Sequence, residues 1–440
     1  MLIQKLMEMN GVHCLCGKKH TFESKIITGR GVIDTIPEIV MEFNAKKPYV
    51  LVDKNTYLAA GKDLCDILSK KGIKYTLFSF GDGIVEPDEK NVGSAFMHMT
   101  AENDMVIAVG SGVINDIAKI VSARSRFPYV IVATAPSMDG YASKTSSVTL
   151  DGIKVSLPSK CADVIVGDIN IIKTAPKEML LAGIGDMIAK YISICEWRIA
   201  SLLVGEYYCE RIAELVRTAL KRTVELAPLS LEGDEEAISA IFDALIIGSV
   251  AMNYAGLSRP ASGVEHYISH LYDTRGVEFG EKTAFHGIQC AISTLIASRL
   301  YEKVRLIKPD REKALRYVEA FDNEEWNERL KSLLGKSADS IIELEKTEGK
   351  YDKEKHKARL EIIIDKWDEI INIIDEEVPY SEHVEKLMLS LGIPTDFKEA
   401  GMNRDLLPEI FCATKDIRDK YVLSRLLWDL GVIDEFAKDV

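Results

Sequence analysis

Five short apolar runs constrain this chain more than any other feature. They read YVLVD (Tyr49–Asp53), YTLFSF (Tyr75–Phe80), MVIAVG (Met105–Gly110), YVIVAT (Tyr129–Thr134) and DVIVGD (Asp163–Asp168). Each is continuous rather than alternating, and each is rich in β-branched or aromatic residues. A strand with one wet face alternates apolar and polar side chains. A continuous run suits a strand buried on both faces, as in a parallel sheet covered by helices. The segments between the runs, such as YLAAGKDLCDILSKKG, are amphipathic. Strand and helix in alternation predict a Rossmann-like α/β domain with right-handed crossovers. One stretch differs: in SSVTLDGIKVSLPS apolar residues alternate on either side of Asp151-Gly152, which predicts a β-hairpin.

After about Ala175 the strand signal fades. APKEMLLAGIGDMIAKYISICEWRIA and EEAISAIFDALIIGSVAMNYAGL have helical periodicity, as does nearly everything to the C-terminus. The expected fold class is therefore α/β plus all-α. Residues 1–174 are expected to form the α/β domain and residues 175–440 an all-helical domain. A charged stretch, Asp310–Glu377, reads as solvated helix faces.

Hydrophobic residues make up 47% of the chain, enough for a sizeable core. The formal charge of -13 argues against nucleic acid as the main partner, since phosphate-backbone binding needs a cationic face. No apolar run reaches the roughly 20 residues of a membrane-spanning helix, and no signal peptide is evident, so no membrane insertion is expected. The cysteines are scattered through apolar segments, as in a cytoplasmic protein with reduced thiols. CLCGKKH holds Cys14, Cys16 and His20, half of a possible zinc site. No second ligand pair follows at finger spacing, so the reading here is an ordinary short turn.

AVGSGVINDIAK follows a buried strand and opens a helix. Gly110 and Gly112 would let backbone amides approach an anion, and the helix N-terminus adds partial positive charge. The full G-x-G-x-x-G fingerprint is absent. Asp53 ends an earlier strand, where an acid either accepts from a ribose hydroxyl or caps the next helix. Thr134, Ser137 and Ser143 in TAPSMDGYAS follow another strand end. Open α/β sheets bind ligands at such ends, so the three segments together predict a dinucleotide site.

ASGVEHYISH places His266 and His270 four residues apart, on one helix face. His286 lies twenty residues beyond His266, and Asp186 sits in a small, apolar helical stretch. A buried carboxylate needs a partner, and a metal or a lysine would serve. Two histidines and one carboxylate also suit non-haem iron. A dinucleotide cradle upstream favours hydride transfer assisted by a Lewis acid. No G-x-S-x-G elbow presents a serine nucleophile.

With GSGVINDIAK, ATAPSMDGYAS, GIGDMIAK, GVEHYISH, KTAFHGIQ and LGIPTDFKEAGM in order, the chain resembles the dehydroquinate synthase-like, iron-containing alcohol dehydrogenase superfamily. Within it the likeness is to the sn-glycerol-1-phosphate dehydrogenases of the bacterial type. The resemblance implies that Asp186, His266 and His286 bind one divalent metal, zinc or nickel. It implies that Asp186 and His270 are catalytic and that both meet the substrate with Asp139. Asp53, Gly110, Gly112, Val113, Ile114, Asn115, Asp116, Thr134, Ala135, Pro136, Ser137 and Ser143 would hold NAD(P). The implied reaction reduces dihydroxyacetone phosphate to sn-glycerol 1-phosphate for glycerophospholipid synthesis, in a cytoplasmic homodimer. Arg259, Ser262 and Asn253 are candidate phosphate anchors. The charged stretch is longer than the family core requires. The alternatives are a glycerol or other alcohol dehydrogenase, a dehydroquinate synthase-type lyase on the same fold, and a non-catalytic metal- or nucleotide-binding protein.

Overall fold

All five continuous runs are strands of one sheet. The computed structural model of the chain describes residues 2–440. The sheet contains β1 (Lys25–Gly29), β2 (Pro48–Val52), β3 (Thr76–Ser79), β4 (Met105–Gly110), β5 (Tyr129–Ala133) and β8 (Val164–Asp168), in the order β1-β8-β5-β4-β2-β3. Every pairing is parallel. Strands β2, β4, β5 and β8 are buried at every position, as a continuous apolar run requires. Val50, Val52, Ile107, Val109, Val130 and Val132 face one core with Ile36, Ile39 and Leu64 from the covering helices. Strand β3 departs from the expectation: it alternates half-buried and exposed residues because it is the outer strand of the sheet. The opposite outer strand, β1, is KIITG, which has no continuous apolar run and gave no signal.

β6 (Thr145–Leu150) and β7 (Ile153–Pro158) pair antiparallel as the predicted hairpin. Asp151 and Gly152 have φ of 54° and 78°, the left-handed pair that a two-residue hairpin turn needs.

The chain divides into two compact units. One comprises Met1–Met187 and Lys221–Gly256; the other comprises Ile188–Leu220 and Leu257–Val440. The first unit holds both sheets and a long apolar helix, Glu235–Ala255. By length and composition this helix could cross a membrane, which the sequence reading overlooked; 78% of its apolar window is buried within the protein. The second unit is helical. Its charged stretch forms the helices Arg311–Ala320, Asn323–Leu334, Ala338–Glu348, Lys353–Asp365 and Trp367–Glu377. These bury Trp326, Leu330, Leu360, Ile363 and Ile374 and expose most of their charge, as in the ion pairs Arg311–Glu361 and Lys353–Glu319. Glu377 is an exception: it is buried and lies 2.5 Å from Arg198 and 2.7 Å from Arg217.

Candidate active site

In the first unit the chain leaves β2 for β3 on one side, but leaves β4 for β5 on the other. The carboxyl ends of β2 and β4 thus flank a topological switch point, where open α/β sheets bind nucleotides. Asp53 directly follows β2, and the Gly110-Ser111-Gly112 turn starts at the last residue of β4. At Gly110 a Cβ would lie 2.6 Å from Cβ of Ile114, so only glycine fits beneath the first turn of helix α1 (Gly112–Ser125). At Gly112 a Cβ would meet nothing closer than 3.8 Å, so its face is open. Ser111 Oγ lies 2.5 Å from Ser137 Oγ, and Tyr141 Oη donates to Ala135 O (2.6 Å) and is bonded to Ser111 Oγ (3.2 Å). These bonds tie the segment Thr134–Ser137 to the Gly110–Gly112 turn.

The predicted cofactor residues do not all present free side chains. Asp53 caps a helix: its carboxylate accepts Thr56 N–H (2.7 Å), and Thr56 Oγ1 accepts the Asp53 N–H (2.9 Å). Asn115 accepts from Tyr129 Oη (2.7 Å) and donates to Gly140 O (3.2 Å). Asp116 accepts Ser147 N–H (3.2 Å) and pairs with Lys119 (3.2 Å). Burial raises the Asp116 pKa above the ordinary carboxylate value, opposed by Lys119. Ser143 Oγ is engaged with Thr145.

Asp186 is fully buried near the end of helix α2 (Lys177–Ile188) and accepts the Asp139 N–H at 2.9 Å. Gly183 makes that reach possible: a Cβ there would stand 1.9 Å from Pro136 O. Ser249 Oγ donates to Asp139 O and accepts the Ala142 N–H. Asn253 donates to Ala142 O (2.5 Å) and to Ser249 O (3.2 Å). Asn253 therefore braces the Asp139 loop, and its amide is not the phosphate anchor expected of it.

In the second unit, Lys190 Nζ donates to Ala261 O (3.2 Å) and Ser193 Oγ to Pro260 O (3.3 Å), fixing the chain that enters helix α3 (Val264–Phe279). His266 and His270 lie on α3, and His286 is the first residue of helix α4 (His286–Val304). The three rings converge: centroids are 5.1 Å apart for His266–His286, 5.6 Å for His270–His286 and 6.2 Å for His266–His270. His266 Nδ1 donates to Glu265 Oε1 (2.8 Å), and His286 Nδ1 is bonded to Ser269 Oγ (3.0 Å). Both bonds orient the rings and favour Nε2 as the ligand atom.

Two residues that the sequence reading missed complete this cluster. Cys290 Sγ is 3.5 Å from His286 Nε2, and His266, His286 and Cys290 form one group with metal-ligand spacing. Asp273, held by Gln289 (2.8 Å), forms another with His270 and His286. Burial pushes the Cys290 thiol up, but His266 and His286 beside it bring it below its ordinary value. Cys290 stands four residues after His286, the spacing that flagged the His266–His270 pair, and could have been found the same way.

Arg259 is completely buried. Its Nη2 meets Glu206 Oε2 at 2.6 Å and its Nη1 donates to Tyr421 O at 2.9 Å. Its guanidinium is thus engaged inside the protein and is not the phosphate anchor expected of it; it is an interior strut. Ser262 is buried, and its carbonyl accepts from Lys420 Nζ (2.9 Å).

Residues 27–176 match the model of the iron-containing alcohol dehydrogenase family. Over 294 residues the chain is 30% identical to glycerol-1-phosphate dehydrogenase (NAD(P)+) of Halalkalibacterium halodurans, covering 66% of this chain and 74% of that one. The chain belongs to the glycerol-1-phosphate dehydrogenase family. It is thereby an NAD(P)-dependent oxidoreductase acting on a CH–OH group. The homologue from Bacillus licheniformis is 26% identical over 426 residues, 96% of this chain and 93% of its own, so this match runs through the charged stretch. Glycerol dehydrogenase from Schizosaccharomyces pombe shares the fold, with a TM-score of 0.61 at 16% identity over 96% of this chain and 92% of that one.

Proposed function

We propose that this enzyme reduces dihydroxyacetone phosphate to sn-glycerol 1-phosphate with NAD(P)H, using one divalent metal, zinc or nickel. The observation that carries the reading is the His266–His286 pair, with each Nδ1 already bonded, in a member of this family. Imidazoles oriented in this way, with a buried carboxylate, fit a divalent transition metal. Asp186, His266 and His286 are the proposed ligands. When bound, the metal supplies a Lewis acid for the carbonyl of the substrate.

The residues of the chain do the rest. The turn Gly110–Gly112 and the N-terminus of α1 receive the pyrophosphate of the cofactor, with Val113, Ile114, Asn115 and Asp116 in the same segment. Asp53 accepts from a ribose hydroxyl. Thr134, Ala135, Pro136, Ser137 and Ser143 line the nicotinamide end. Asp139 and His270 hold the substrate hydroxyl and oxygen, and His270 delivers the proton. The product is a precursor of glycerophospholipids, and the enzyme works in the cytoplasm as a homodimer.

Asp186→Ala and His286→Ala test the metal assignment. Each change is expected to abolish nicotinamide oxidation and tight metal binding in equilibrium dialysis. Activity that survives both overturns it.

A further inference from the structure

The knuckle Cys14–His20 lies in the first unit and plays no part in the proposed reaction. Its backbone is a tight reversal: His13 bridges Lys19 antiparallel, Cys14 N–H donates to Lys18 O (2.9 Å) and Gly17 N–H to Cys14 O (3.0 Å). Gly17 takes φ of 86°, a conformation suited to glycine. The turn is short of apolar burial. Leu15 is 108% exposed and Val12 is 45% exposed, so hydrophobic packing does not hold it.

Three soft or borderline donors meet beneath that exposed tip. The ligand atoms of Cys14, Cys16 and His20 lie within 4.8 Å of one another. Sγ of Cys16 is 3.5 Å from Nε2 of His20. His20 is buried, and its Nδ1 donates to Tyr254 O at 3.0 Å. That bond sets the tautomer and orients Nε2 toward the thiols, the outer contact that ligating histidines usually make. Tyr254 closes the long apolar helix of the same unit, and Lys18 Nζ reaches Ala255 O (3.5 Å) at the same helix end.

We infer that Cys14, Cys16 and His20 are three ligands of a structural zinc ion. Zinc bonds of about 2.0–2.3 Å place tetrahedral donors roughly 3.3–3.8 Å apart, within the separation found here. Thiolate and imidazole together select zinc over the hard cations. Bound there, zinc clips the N-terminal turn to the end of the apolar helix and replaces the hydrophobic core the turn lacks. A fourth donor closes the site, and Cys→Ser changes at each remaining cysteine identify it if it is a thiolate.

The test uses the full-length, zinc-supplemented protein. Alkylation of Cys14 and Cys16 by iodoacetamide, mapped by mass spectrometry, is expected to be slow and to accelerate about tenfold or more after a strong chelator. Wild type should carry one more zinc than Cys14→Ser/Cys16→Ser, and its cobalt form a sulfur-to-cobalt absorption that the variant loses. The variant should keep dehydrogenase turnover when metal is supplied, which separates this site from the histidine cluster. Labelling indifferent to the chelator overturns the inference. So does labelling released by reductant alone, the signature of a disulfide. The labelling arm needs no variant and stands even if the double change prevents folding.

Discussion

Asp53 directly follows β2 and caps the helix after it, with Thr56 closing the reciprocal bond. The two roles foreseen for an acid at that position are compatible, because a capping carboxylate has a second oxygen. Serine also caps a helix, so Asp53→Ser should change stability by only a few tenths of a kcal/mol, roughly. Loss of the carboxylate should raise activity with NADPH relative to NADH, since the acid disfavours a 2′-phosphate. Initial rates with both cofactors decide this, and an unchanged ratio removes Asp53 from the ribose site. Glu265 acts through His266. Glu265→Gln should weaken metal binding by about 10–100-fold in a chelator competition. Unaltered affinity would show that the ring is held by packing alone. Lys420 carries a pH signature. Burial of its ammonium, with the Arg259 charge nearby, lowers its pKa to about 7 against an ordinary 10.5. The unfolded chain then binds more protons between those values, so this group makes folding more favourable as pH rises from about 7 to 10.5. Denaturation midpoints across that range should show a rising component that Lys420→Met removes; equal slopes would contradict the shift. Asp186 and the histidines stood out in the sequence because a buried polar group of these types needs a partner. Arg259 was misread because nothing in its local sequence points to Glu206, which lies more than fifty positions away.

Helix α2 and the loop after β5 meet at Gly183, where the Pro136 carbonyl occupies the space of a side chain. Gly183→Ala must push the two apart. It is expected to cost about 1–3 kcal/mol and to lower turnover, because the Asp186 carboxylate moves with its helix. Thermal melting and kcat measured on one preparation check this; a variant with unchanged melting temperature and turnover would contradict the packing described. Sequence pattern showed the buried strands β2, β4, β5 and β8, because continuous β-branched runs have few other uses. It showed the hairpin, because Asp-Gly between alternating segments suits a left-handed turn. It failed at β1, whose sequence has no such run, and at β3, where a position at the sheet margin exposes half the residues. Gly183 and Ser249 were invisible for a related reason. Each matters through a backbone approach by a segment distant in sequence.

At the scale of the whole chain, helical periodicity marks residues 177–255 as helices but not which unit buries each. The helices ending at Val204 and Ala255 fall in different units. The boundary proposed near residue 174 rests on where strands stop, a signal that carries no information about packing. The family, by contrast, was legible as an ordered series of motifs, and the relatives bear it out. The central claim is metal-dependent reduction of a phosphorylated ketone, and nicotinamide absorbance tests it directly. Metal-stripped protein is mixed with NADH or NADPH and dihydroxyacetone phosphate, before and after Zn²⁺ or Ni²⁺. The account predicts oxidation only with metal, none with unphosphorylated dihydroxyacetone, and a product of sn-1 configuration. Absence of oxidation under either metal would contradict it and favour a lyase that returns its cofactor to the starting redox state.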